Sequence, residues 1–302
     1  MIRIAAMKEA NLLDGRLVAQ QIHRETMEVV KKLLQRGVQP SVVFIRAGQF
    51  PPSELYVRMK QKKAQELGIK SEVISFAEDV SQNEVLEKLY QLNQDPSIHG
   101  ILVQLPLPRH LSEKEIALAI DPKKDIDGFH PMNLGKMLLG EKDCFYPCTP
   151  LGIQELLKRY HIEIEGKEVV ILGRSNIVGK PMAALLLQKS KYANATVTIV
   201  HSFSQNIKEH CQRADILIAA MGKARFVTKD FVKAGAVVVD VGVSRVADAS
   251  SHKGFKIVGD VDFDEIKKIA SWITPNPGGV GPMTIAMLLS NTVKAAELSL
   301  FS

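Results

Sequence analysis

The sequence predicts an α/β protein of two domains, each built on a parallel sheet, and three observations carry that prediction. Short Val/Ile-rich runs alternate with longer amphipathic stretches over 41–105. An interval over 121–150, dense in Gly, Pro and Asp and without a sustained period, interrupts the alternation. A second, more apolar series then runs over 167–260. Connections long enough for helices imply parallel strands, whose C-terminal ends share the edge where α/β sheets place ligands.

Composition agrees with this class. A chain of 302 residues has room for two domains of ordinary size, and 46% hydrophobic with 24% charged residues is the balance of a soluble globular protein. No apolar run approaches the roughly 20 residues that span a bilayer. The opening MIRIAAMKEANLLDG has neither a secretory nor an organellar pattern, so a cytoplasmic location without a membrane partner is expected. Cys144, Cys148 and Cys211 fit neither a disulfide framework nor a zinc spacing, and no metal is expected. The net charge of +6 is compatible with a polyanion. The lysines are spread over many helices and no recognition motif is present, so nucleic acid is not an expected partner.

In the first series SVVFIR (41–46), EVISFA (72–77) and GILVQL (100–105) read as strands, with helices beginning near Ser53 and Ser81. Ser53 is a candidate N-cap, and the helix that follows should end near Gly68. Tyr56, Lys60 and Lys63 share one face of that helix at i, i+4 and i+7. Such lysines are usually solvated; beside an aromatic ring in a substrate site, one becomes a proton donor or acceptor. Gln104 is the one polar residue in an apolar run at a strand end, where it either bonds to backbone or faces a ligand.

The interval that closes the first sheet reads as loops around a short helix and contains Asp125-Ile126-Asp127-Gly128. The further ligand positions of a calcium loop are missing, which leaves an Asx-turn or a carboxylate that accepts hydrogen bonds from substrate N–H groups. Thr149-Pro150 predicts an N-cap followed by Pro at the first helical position.

The second series, KEVVILG (167–173), ATVTIV (195–200), ADILIAA (214–220), GAVVVDVG (235–242) and FKIVGD (255–260), predicts a Rossmann-like parallel sheet covered on both faces. Its first strand ends in Gly173-Arg174-Ser175-Asn176-Ile177-Val178-Gly179 before an apolar helical pattern, the strand, glycine turn and helix order of a dinucleotide site. The glycine spacing is irregular, and an ordinary tight turn would look similar. The second strand ends in His201-Ser202 without a carboxylate for the ribose hydroxyls. A 2′-phosphate would meet no like charge there, and Arg174 with Ser202 could hold it, which argues for NADP over NAD. The bland alternative makes Arg174 a solvated loop residue. Thr274 to Pro282, rich in Pro and Gly and nearly free of charge, reads as a cleft wall rather than a plain linker, and the last helix should return to the first domain.

The stretches YVRMKQKKAQELGI, HGILVQLPLP, KDIDGFHPMNLGK, PCTPLGI, VVILGRSNIVGKPM, ATVTIVHS, GDVDF and ITPNPGGVGPMTIAML occur in order from Leu55 to Leu289. Together they resemble the bifunctional methylenetetrahydrofolate dehydrogenase/methenyltetrahydrofolate cyclohydrolase family. The resemblance implies a folate-binding catalytic domain over 1–150 completed by 282–302, an NADP-binding domain over 151–281, and a homodimer. It implies oxidation of 5,10-methylenetetrahydrofolate with NADP+ and hydrolysis of the methenyl product to 10-formyltetrahydrofolate. In those roles Lys60 is the central catalytic residue tuned by Gln104, Tyr56 stacks on the substrate, and Asp127 holds the pterin ring. Val103, Leu105 and Pro277, Gly278, Gly279, Val280 and Gly281 are the implied further folate contacts. Gly173, Arg174, Ser175, Ser202 and Val243 are the implied cofactor contacts. Two departures from the family pattern are Phe203 after His-Ser and Val243 where isoleucine is common.

Overall fold

A computed structural model describes residues 9–251 and 254–301. The chain forms two compact units, one combining the described residues up to Ala19 with Thr149–Thr284, the other Gln20–Cys148 with the described residues from Ile285 on. Among the described residues no helix is long and apolar enough to cross a membrane.

In the second of these units Ser41–Ala47 is the centre of a three-stranded parallel sheet, flanked by Lys70–Phe76 and Gly100–Val103. The sequences fit their places. SVVFIRA is apolar almost throughout and nearly all buried, whereas KSEVISF mixes polar and apolar residues and is largely uncovered at its edge position. The helices Pro51–Glu66 and Gln82–Gln94 are the crossovers. Ser81 caps the latter in a capping box with Glu84. One face of the sheet closes over Val43, Ile45, Val85, Leu89, Ile101 and Ile116, each such side chain contributing about 1.5–3 kcal/mol when fully buried. The short helix expected within 121–150 is Pro131–Leu139; a further helix, Glu113–Ala119, carries too little period to be read in advance.

Ser53 is not the N-cap. Phe50 holds that position with prolines behind it, and Ser53 lies inside the helix, its hydroxyl donating to the Leu105 carbonyl at 3.2 Å. The Pro51-Pro52 pair starts the helix earlier because proline suits the first turn, where its missing N–H has no partner to lose. Thr149 is likewise inside its helix, Cys148–Arg159, and its hydroxyl meets that of Thr284 at 3.0 Å.

The other unit carries a six-stranded parallel sheet, in the order Asn11–Leu12, Trp272–Ile273, Val237–Asp240, Ile216–Ala219, Glu168–Leu172, Thr196–Val200. The first strand comes from the N-terminus and pairs with Trp272–Ile273, so this segment packs with the sheet of 149–284 and not with the rest of 1–150. FKIVGD does not join the sheet. Phe255–Val258 pairs antiparallel with Ser244–Ala247 in a separate ribbon, because a connection as short as 248–254 cannot hold the crossover that parallel pairing needs. The last helix, Val280–Leu298, passes into the three-stranded unit as expected. There Asn291 donates to the Ile126 carbonyl at 2.8 Å, and Lys294 donates to that of Cys144 at 2.7 Å.

Candidate functional site

Lys60, on the Pro51–Glu66 helix, is 9% exposed, and its ammonium donates to Gln104 Oε1 at 3.1 Å. The Gln104 backbone N–H donates to Ile45 at 2.8 Å, which keeps it in the ladder just beyond Val103. Its side-chain amide donates to the Leu105 carbonyl at 2.8 Å, the oxygen that Ser53 also reaches. Those two bonds turn the Gln104 carbonyl toward Lys60. Burial holds the Lys60 pKa below the usual lysine range, with Asp127 and Cys148 pulling the other way.

Asp127 is brought to the same sheet edge by backbone pairing. The Ile101 N–H donates to Lys124 at 2.9 Å, so 124–126 runs alongside the Gly100–Val103 strand. Gly100 permits the approach, since a Cβ there would stand 2.8 Å from the Ile126 side chain. The two carboxylates of DIDG then part company. Asp125 is buried and forms the structural turn, accepting from the N–H groups of Gly128 (3.2 Å) and His130 (2.7 Å) and from the Asn133 amide (2.8 Å). Asp127 is only half-buried, and the neighbouring Cys148 thiol donates to the Ile126 carbonyl. Desolvation raises the Asp127 pKa, Lys60 opposes that rise, and Asp125 adds to it. Lys60 is thus pushed down and Asp127 pushed up, and the charge of each bears on the titration of the other. Cys148 is fully buried with its pKa well above the thiol range, so it stays a neutral thiol, donating to the Ile126 carbonyl at 3.3 Å, and is not a nucleophile.

Tyr56, one turn before Lys60, is 40% exposed and presents its ring to solvent. Lys63 is paired with Glu66, which removes it from the cluster. Val103 and Leu105 flank Gln104 along the strand end.

In the six-stranded unit the glycine turn follows its strand as read. The Gly173 N–H donates to Val200 at 2.8 Å with φ +131°, and a Cβ there would fall 2.2 Å from the Ala220 carbonyl oxygen. Gly179 is needed as well, since its Cβ would lie 2.2 Å from the Gly173 oxygen. The Ser175 hydroxyl accepts from the N–H groups of Val178 (3.1 Å) and Gly179 (3.4 Å), so the Gly179–Leu186 helix is capped by the turn itself and offers an anion fewer free donors than expected. Arg174, Ser175, Ser202 and Val243 are exposed around this turn, and Arg174 lies over the Phe203 ring at 5.6 Å. These side chains fit a dinucleotide with a 2′-phosphate: cationic and hydroxyl donors are present, and no carboxylate stands at 201–204.

Two buried carboxylates organise the loops at the same edge. Asp240 accepts from the N–H groups of Gly242, Asp260 and Val261, while Asp260 accepts from those of Met221, Gly222 and Lys223. A Cβ at Gly259 would lie 1.7 Å from Asp240 Oδ2. The loop expected up to Pro282 ends earlier, because Val280 and Gly281 already belong to the last helix; before it Gly278 has φ +120°, and Arg16 donates to the Pro277 carbonyl at 3.4 Å. The Gly279 oxygen lies so near Gly15 that a Cβ on Gly15 would be 1.8 Å away.

Residues 13–127 match the description "Tetrahydrofolate dehydrogenase/cyclohydrolase, catalytic domain", and 147–300 match the "NAD(P)-binding domain" of the same name. The chain belongs to the tetrahydrofolate dehydrogenase/cyclohydrolase family. The bifunctional protein FolD of Prosthecochloris aestuarii is 53% identical over 286 residues, covering 94% of this chain and 97% of that one. FolD of Streptococcus agalactiae is 52% identical at the same coverage. The crystal structure of the bifunctional FolD of Campylobacter jejuni aligns with TM-score 0.91 and 47% identity over 96% of this chain and 99% of that one. The Trypanosoma brucei FolD, solved with NADP cofactor and an inhibitor, aligns with TM-score 0.92 and 39% identity over 98% and 100%.

For this family member, sequence reasoning missed the contacts made by Ser53, Cys148, Asp240, Asp260 and Arg16. Ser53 and Cys148 follow ordinary capping and packing patterns, and only the folded strand end shows what they touch. For Asp240 and Asp260 a signal was present, since each ends or follows an apolar run and a buried carboxylate requires partners.

Proposed function

We propose that the protein oxidises 5,10-methylenetetrahydrofolate with NADP+ and hydrolyses the resulting methenyl cation to 10-formyltetrahydrofolate. The observation that carries the reading is Lys60, buried and bonded to Gln104 beside the desolvated carboxylate of Asp127. A lysine whose charge is disfavoured does not repel a delocalised cation, and it can take a proton from attacking water and return it. Gln104 fixes the amine, Asp127 accepts hydrogen bonds from the pterin N–H groups, and Tyr56 stacks on the aromatic portion. Val103, Leu105 and Pro277 to Gly281 complete the folate contacts.

NADP+, when bound, supplies the hydride acceptor. Arg174 and Ser202 hold the 2′-phosphate, and Gly173, Ser175 and Val243 bound the rest of the cofactor. A cytoplasmic homodimer without nucleic-acid or membrane partners completes the reading, with the folate catalytic domain over 1–150 and 282–302 and the NADP domain over 151–281. Following NADPH formation and methenyl absorbance with methylenetetrahydrofolate, with NAD+ in parallel, tests the proposal. Both signals should rise with NADP+. Equal use of NAD+ would refute the roles given to Arg174 and Ser202.

A further inference from the structure

Phe203 is 82% exposed, among the most exposed of the large apolar side chains in the described chain. A single exposed ring is ordinary on a surface, and what singles this one out is its place beside the glycine turn, against the guanidinium of Arg174. Its position is well defined. The Phe203 N–H donates to His201 Nδ1 at 3.2 Å, the His201 N–H donates to the Ser204 hydroxyl at 3.0 Å, and the Ser204 N–H returns to the His201 carbonyl at 2.8 Å. The two rings meet edge to face at 6.5 Å. The 201–204 turn therefore sets where the ring leaves the backbone, at the end of the Thr196–Val200 strand.

Across from this turn stands Arg174. Its guanidinium lies 5.6 Å from the Phe203 ring centroid, and among the described residues it has no carboxylate partner. An exposed arginine without an ion pair samples many rotamers, and a binding event that needs one of them is weakened accordingly. A ring within cation–π range of the guanidinium narrows that set before any ligand arrives, and such a contact uses none of the N–H donors in hydrogen bonds to other groups.

We infer that Phe203 is a positioning residue for Arg174, a platform that presets the guanidinium for the 2′-phosphate and so sharpens the choice of NADP+ over NAD+. The inference rests on the reading of Arg174 as the 2′-phosphate ligand. The strength of an exposed cation–π contact corresponds to about a 2- to 5-fold change in an equilibrium constant.

The test is steady-state kinetics of the full-length enzyme with each dinucleotide, for wild type, Phe203→Ala, Phe203→Trp, Arg174→Ala and the Phe203→Ala/Arg174→Ala double variant. Phe203→Ala is expected to raise KM for NADP+ by about 2- to 5-fold, with kcat and the KM values for NAD+ and folate unchanged. Phe203→Trp should restore the wild-type value, and Phe203→Ala should add nothing once Arg174 is gone. Because the ring is exposed, the thermal midpoint should not move. Equal weakening of NADP+ and NAD+ would mean that the ring serves the adenine they share and overturns the inference, as would no change with either. Should Arg174→Ala itself leave the NADP+ to NAD+ preference intact, the 2′-phosphate reading fails and takes this inference with it. Loss of the preference in Arg174→Ala with no weakening of it in Phe203→Ala overturns the inference alone.

Discussion

Asp127 and Asp240 stand at the C-terminal edges of two different parallel sheets, both with pKa values raised by burial, yet they are built for opposite ends. Asp240 accepts three backbone N–H groups and lies in a shell so tight that Gly259 cannot carry a side chain. Its pKa, drawn up to about 6 by desolvation despite those bonds, describes a structural carboxylate that ties 240–242 to 259–261. Asp127 lies in the field of Lys60, and among the described residues it gathers no such set of backbone donors. The lesson is that a shifted pKa does not distinguish a reacting group from a structural one. What sets Asp127 apart is its place beside a second group shifted the other way and, among the described residues, its lack of the backbone donors that hold Asp240.

Substitutions can break or sharpen this contrast. The largest effect is expected for Lys60→Met, which should lower methenyl hydrolysis by about 10²–10⁴-fold, the span of general acid–base catalysis. The thermal midpoint should hold or rise, since a desolvated cation is replaced by an apolar chain of similar length. Near-normal cyclohydrolase turnover would exclude the role given to Lys60.

Next, Asp240→Ala should destabilise the fold by about 3 kcal/mol or more in urea unfolding, because three backbone donors lose their acceptor and each buried orphan costs about 1–3 kcal/mol. Asp127→Asn should shift stability by less than about 1 kcal/mol while cutting folate turnover about 10-fold or more. If the two variants proved equally destabilising, the distinction between a structural and a ligand-binding carboxylate would collapse.

The smallest effect concerns His23, a control in which burial shifts a group outside either site. Its pKa is lowered to about 4 from 6.5, by desolvation first and Lys63 second, and its Nδ1 has no partner. The folded state holds the neutral ring, so its contribution to stability is complete above pH 6.5 and is lost as pH falls through 4. Thermal midpoints measured from pH 7 to pH 4 should fall less steeply in His23→Gln, with both activities at pH 7 unchanged. An identical pH dependence in the variant would show that other groups govern the acid limb.

Much of the fold was legible because parallel strands buried on both faces must be near-continuous apolar runs, and SVVFIR, KEVVILG and ADILIAA are such runs. Phe255–Val258 reads the same way locally, and only its short return connection assigns it to a ribbon. Asn11–Leu12 is too brief to carry a pattern at all, and its strand exists through pairing with Trp272–Ile273. The helix starts at Ser53 and Thr149 went astray for one reason: a hydroxyl that can cap a helix can equally bond elsewhere, to Leu105 or to Thr284.

Sequence by itself determined the class of the protein, the order of its elements, the two ligand edges and the residue types available for chemistry. These follow from periodicity, turn residues and long unusual motifs, all of which are local. Tertiary structure alone decided which of two aspartates in DIDG forms the turn and which faces Lys60, why Gln104 presents its oxygen, and where the Phe203 ring stands against Arg174. Each of those outcomes depends on desolvation and on the geometry of hydrogen bonds and ring contacts between residues distant in sequence. Such quantities come into being only when the chain closes around them.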